Sequence, residues 1–129
     1  MIEVNKEKYP LIHTLSPCNI PGVYGVFLIK GKDKNICQYV GESLNLYRRC
    51  YKDHQKPSQF LLARLVLGKD GFTYGPLYED KFPTYSEYVQ RAREVRREYE
   101  FRFLDSNIYK EWEYIRDFNP VYNIRKWNI

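Results

Sequence analysis

The chain has 129 residues, room for one domain of ordinary size and not for two, and its 43% apolar content is enough to build a core. Its mean hydropathy is −0.64 and its longest apolar stretches, 23–29 and 60–67 with Arg64 interrupting the second, are far shorter than the ~20 residues a bilayer-spanning helix needs. Lys plus Arg exceeds Asp plus Glu, 21 against 16, for a net charge of +5 and a pI near 9.0, which favours a polyanionic partner.

The first eight residues carry Glu3, Lys6, Glu7 and Lys8 and do not read as a secretory signal. Cys18, Cys37 and Cys50 cannot all pair, which fits a reducing compartment, so the expected location is the cytoplasm. Residues 1–20 show no clear period and contain Pro10 and Pro17, so they are expected to form an irregular arm, with residues 21–129 forming the domain proper. The run GVYGVFLI (22–29) and the run ICQYVG (36–41), joined by a turn-like KGKDKN, predict a β-hairpin. Ser43 or Asn45 can then cap a helix whose inner arc carries Leu46, Tyr47, Cys50, Tyr51 and His54, with Arg48 and Lys52 opposite. Pro57 ends that helix.

A second helix is predicted from Ser58 to about Leu67, stopped by Gly68, followed by loop with one short strand at 72–74. Thr84 and Glu87 form a capping box for a third helix with Tyr85, Tyr88, Val89, Ala92 and Val95 on one side. EYEFRFL (98–104) alternates Tyr99, Phe101 and Phe103 with charged residues, a strand with one solvated face. Asp105 or Ser106 would cap a last helix over 107–118, closed by Asn119-Pro120. The class is α+β: a small three-stranded antiparallel sheet flanked by helices, with an extra helical insertion before the third strand.

On the last helix Ile108, Trp112, Ile115 and Phe118 form the apolar arc. Glu111 falls inside this arc and Glu113 points to solvent. A carboxylate aimed at the interior must be paired, neutralised or bound to a cation. Arg93 and Arg97 stand one turn apart with Arg96 nearby, an Arg stripe that can track phosphates or equally lace a solvated helix. Cys37, Cys50 and His54 lack the spacing of a zinc site.

Five elements occur in order: Gly22-Val23-Tyr24, Tyr39-Val40-Gly41, Arg49 ten residues after Tyr39, Glu111, and Asn123 twelve residues later. With Pro21 before the first motif and ESLNLYRR after the second, this set resembles the GIY-YIG nuclease superfamily, particularly the nuclease domain of the bacterial excision-repair incision subunit, over residues 21–124. The resemblance implies a GIY-YIG fold and metal-dependent hydrolysis of DNA phosphodiester bonds.

Of Tyr24 and Tyr39, one would help activate or orient the attacking water. Arg49 would contact the phosphate, and Glu111 would hold a single divalent ion, Mg²⁺ or Mn²⁺, as the one carboxylate placed for it. Gly41 and Asn123 would support the site. Each has a plainer alternative, Arg49 as an i,i+4 partner of Asp53 among them. Many members carry His or Tyr four residues after the arginine; here that position is Asp53 and the histidine, His54, follows one later, where it could swing inward as a proton acceptor. Arg48, Lys52, Arg93, Arg96 and Arg97 are the candidate DNA contacts. A freestanding phage or mobile-element nuclease, a structure-selective repair or junction nuclease, and a catalytically idle nucleic-acid-binding module of the same fold all stay open. One site cuts one strand, so concerted double-strand cleavage would call for a homodimer or reorientation.

Overall fold

The run GVYGVFL is apolar at consecutive positions, as befits a strand covered on both faces, and it forms β1 (Gly22–Leu28), the central strand of the sheet. In the computed structural model, which describes residues 2–56, 60–67 and 78–123, it pairs antiparallel with β2 (Tyr39–Ser43) and β3 (Tyr99–Asp105) in the order β2-β1-β3. The register sets Tyr24 opposite Gly41 and Val26 opposite both Tyr39 and Phe101. Gly31, at φ +106°, supplies the left-handed backbone in the β1–β2 connection.

Strand alternation divides the core into two layers. Tyr24, Val26 and Phe101 face Ile12, α1 (Leu46–Tyr51) through Leu46 and Cys50, and α2 (Phe60–Leu67) through Leu61. Val23, Phe27, Val40 and Leu104 face Val4, Cys37 and α4 (Glu111–Phe118) through Ile115. The helix α3 (Tyr85–Arg96) packs on α2 through Ala92, Val95 and Leu62. Its N-terminus is capped by the Thr84 hydroxyl, which accepts the Glu87 N–H, and Asn45 caps α1 by accepting the Arg48 N–H. Asn119, left-handed at φ 46°, closes α4. The predicted strand at 72–74, the predicted start of the second helix at Ser58 and its stop residue Gly68 lie outside the described residues, whereas its predicted end, Leu67, is the last residue of α2. Among the described residues no helix is long and apolar enough to cross a membrane.

Four expectations are corrected. The outer face of β3 is not solvated: the arm covers it, Lys6 Nζ pairing with Glu100 at 2.7 Å and the buried Arg102 donating to the Lys6 and Tyr9 carbonyls. The last helix opens with a 3₁₀ turn, Ile108–Lys110, capped by Asn107 rather than Asp105 or Ser106. At about 120° per residue, that turn advances the phase by about 60° relative to an α-helix. Trp112 therefore turns to solvent under Arg116, Tyr114, Ile115 and Phe118 turn in, and Glu113 becomes half-buried. Tyr47 and Tyr85, expected inside, are exposed, as the short α1 buries only Leu46 and Cys50 and Tyr85 lies in the first turn of α3, where it packs its ring edge-on to Tyr78.

Candidate active site

Tyr24 projects from the centre of β1 into the α1–α2 layer and is 1% exposed. Its hydroxyl lies 2.5 Å from His54 Nε2. The hydroxyl proton has no other acceptor among the described residues, so Tyr24 is the donor and Nε2 the unprotonated nitrogen. Burial, with the nearby Arg49 charge, lowers the His54 pKa to about 3, so the imidazole is neutral and free to accept. His54 reaches this position because α1 stops at Tyr51. Lys52 leaves helical geometry (φ −121°, ψ −62°), and Asp53–Gln55 form a 3₁₀ turn that rotates His54 inward while Gln55 bonds the Cys50 carbonyl. The ring then stacks parallel to Phe101 and lies edge-on to Tyr39. A one-residue displacement along the sequence is thus absorbed by a change of helix type.

Tyr39 sits diagonally across the hairpin from Tyr24, ring centroids 6.3 Å apart. It is half-buried, and its hydroxyl has no hydrogen-bond partner among the described residues. Burial raises the pKa of both phenols, so both are protonated at neutral pH; Arg49 pulls each down and Glu111 pushes each up. Buried Arg64, whose Nη1 donates to the Tyr122 carbonyl, also lowers the Tyr39 pKa.

Gly41 lies directly opposite Tyr24 in the middle of β2, not at a strand end. A Cβ there would overlap the Tyr24 hydroxyl and approach its ring carbon Cζ to 2.6 Å, so only glycine leaves space for the phenol. Asn123 grips the strand from its free edge, its Nδ2 donating to the Val40 carbonyl and its Oδ1 accepting the Val40 N–H, both at 2.8 Å. Val121 and Tyr122 extend this pairing to the carbonyls of Cys37 and Gln38.

Glu111, the first residue of α4, is half-buried and accepts a hydrogen bond from the Glu42 backbone N–H. Its pKa is raised by burial and by the Glu42 carboxylate. Glu111 is therefore not the one carboxylate placed for a cation, since Glu42 stands beside it. Arg49 lies along the same polar groove as Glu42, Arg48 and Asp53, with its Nε 3.7 Å from Asp53 Oδ2.

Among the predicted DNA contacts, Arg48 and Lys52 line the outer face of α1, and Arg93 and Arg97 are exposed on and just after α3. Arg96 is different: it turns toward the 3₁₀ turn Asp53–Gln55 and donates to the Gln55 carbonyl. Cys37 packs in the α4 layer and Cys50 with His54 in the α1 layer, and no group of three or more metal-ligating side chains gathers among the described residues.

Sequence reasoning missed Glu42 and Arg64. Glu42 directly follows Tyr39-Val40-Gly41, so its place in the second motif was a usable signal. Arg64 looked only like an interruption in an apolar run. No family model, curated protein or solved structure matches the chain.

Proposed function

We propose that the chain is a GIY-YIG endonuclease that hydrolyses DNA phosphodiester bonds with the help of one divalent cation. The observation that carries this reading is the gathering of five separated positions. Tyr24 and Tyr39 lie side by side, both feel the charges of Arg49 and Glu111, and Asn123 clamps the strand that bears Tyr39 and Gly41.

Phosphodiester hydrolysis requires an oriented water, compensation for charge developing on the phosphorane oxygens, and stabilisation of the departing oxygen. Tyr39 suits the first task, because its hydroxyl has no hydrogen-bond partner among the described residues and as a neutral phenol it can hold a water as acceptor or donor. Tyr24 and His54 are too deeply buried to meet substrate, so they act as positioning residues that fix Tyr39 through ring contacts. Arg49, partly exposed on the groove, supplies positive charge to a phosphate.

The residues fit a divalent cation, since Glu111 and Glu42 carry like charges whose mutual repulsion such an ion would relieve. They would hold Mg²⁺ or Mn²⁺ with water and phosphate oxygens completing the shell. When bound, the ion supplies Lewis-acid stabilisation of charge on the phosphate.

Incubation with supercoiled plasmid tests this reading. Nicking or linearisation is expected with Mg²⁺ or Mn²⁺, none in excess EDTA and none from Glu111→Ala, while Glu113→Ala keeps activity and both variants stay folded. Cutting that persists in EDTA, or in Glu111→Ala, overturns the mechanism. DNA binding without cleavage of supercoiled, linear, single-stranded or branched DNA would make the chain a binding module instead.

A further inference from the structure

The polar groove at the candidate site does not end at Arg49. It continues across Arg48 and Asp53, shared by both parts, into a second concavity formed with Tyr47, Tyr51, Lys52 and Lys56 on the outer face of α1. Charge is graded along this path. Glu42 stands at the site end, whereas the far end carries Arg48, Lys52 and Lys56 against Asp53, which is already occupied by Arg49.

Of the two tyrosines at that far end Tyr47 is the exposed one, 41% accessible despite its place in a predicted core arc, while Tyr51 is half-buried. It is held in place: its ring lies 5.7 Å from that of Tyr51, whose hydroxyl accepts the His13 backbone N–H, and the Lys52 ammonium sits 6.0 Å from its centroid. A fixed, exposed aromatic ring flanked by three cations matches a nucleotide, with the base on the ring and phosphates on the cations. Bases inside a duplex already have both faces stacked on neighbours, so only an unpaired base can use such a platform.

We propose that this groove binds single-stranded DNA running from the scissile phosphate along α1, with Tyr47 as the stacking residue that selects substrates unpaired beside the cut. The substrate class is therefore DNA with a flap, gap or single-stranded arm. The link to a cut phosphate rests on the endonuclease reading, but the binding itself does not depend on cleavage.

The test is fluorescence anisotropy in EDTA, with the full chain and two probes: oligo-dT of about 12 nucleotides, within the span single-strand grooves cover, and a blunt duplex of similar length. Base stacking is worth about 1–3 kcal/mol per base, so Tyr47→Ala should weaken oligo-dT binding by roughly 5- to 150-fold while changing duplex binding less than about 2-fold. Tyr47→Trp, which keeps a π-face, should retain or strengthen oligo-dT binding. Lys52→Ala should reduce the salt slope for oligo-dT by about 0.7.

No loss with Tyr47→Ala, an equal loss on duplex, or failure of Tyr47→Trp to preserve binding overturns the proposal, and tighter binding to oligo-rU than to oligo-dT overturns the assignment to DNA. A chain that shows the Tyr47 dependence yet cuts nothing would sink the nuclease reading and leave the groove standing. A chain that nicks plasmid without that dependence would do the reverse.

Discussion

The buried imidazole of His54 makes acid stability a direct readout of the site. Burial and Arg49 lower its pKa from 6.5 to about 3 in the folded chain, whereas the unfolded chain keeps the ordinary value. The folded pKa lies below the unfolded one, so as pH falls the unfolded state takes up the proton first. His54 therefore costs no stability above about pH 6.5 and destabilises the fold progressively between about pH 6.5 and 3. Each unit is worth about 1.4 kcal/mol, so by about pH 4.5 the loss attributable to this residue is roughly 3 kcal/mol, a large share of the 5–15 kcal/mol that holds a typical domain together. Urea titrations of the wild type and His54→Gln at about pH 7 and about pH 4.5 isolate the effect, since every carboxylate is common to both proteins. The variant loses part of the Tyr24 hydrogen bond, about 1 kcal/mol at pH 7. At the lower pH the stability gap should then move by about 3 kcal/mol in the variant's favour. A gap that stays within about 0.5 kcal/mol of its neutral value would mean that His54 protonates freely in the folded chain, and the burial argument would be wrong.

Gly41→Ala should destabilise by about 1–3 kcal/mol in the same urea assay, because the new methyl overlaps a Tyr24 phenol that cannot retreat without breaking its bond to His54; unchanged stability would show that Tyr24 has room to move. Replacing Arg93 and Arg97 together with Ala should weaken duplex DNA binding and flatten the log–log salt dependence by roughly one unit per lost phosphate contact, with Arg96→Ala instead lowering stability through its lost bond to Gln55. An unchanged salt slope would return that helix face to solvent.

Secondary structure was legible where strand-forming residues ran unbroken or a single period held. Gly22–Leu28 and Tyr99–Asp105 are strands within a residue or two of their predicted ends, and Thr84 and Asn45 cap where a short polar side chain precedes an apolar run. What failed was phase after a change of helix type. A 3₁₀ turn of three residues costs little and leaves no mark in composition, yet it rotates everything beyond it by about 60°. That rotation exposed Trp112, whose pattern spoke for the core, while a separate break at Lys52 and the 3₁₀ turn Asp53–Gln55 set His54 inward, on its predicted arc although one residue past the motif position. The outer face of β3 failed for a different reason. Glu100 and Arg102 look solvated because charged residues usually are, but Lys6 and the carbonyls of Lys6 and Tyr9 meet them there from more than ninety positions away, a pairing that no local window contains.

The spacing between the site motifs has a mechanical reason in the free edge of β2. An edge strand with unpaired N–H and C=O groups invites pairing with other chains, and here residues 121–123 cover it, ending in the two bonds between Asn123 and Val40. Val40 lies between Tyr39 and Gly41, so the bonds that seal the edge also fix the positions of the Tyr39 phenol and of the gap that admits Tyr24. The turn that brings Asn123 to that edge begins at left-handed Asn119, the residue that closes α4, and the opposite end of α4 is Glu111. The helix length therefore sets the distance between the carboxylate and the clamp: lengthening α4 by one residue would move Asn123 off Val40 or Glu111 away from Glu42, and either change would separate the groups on which the proposed chemistry depends.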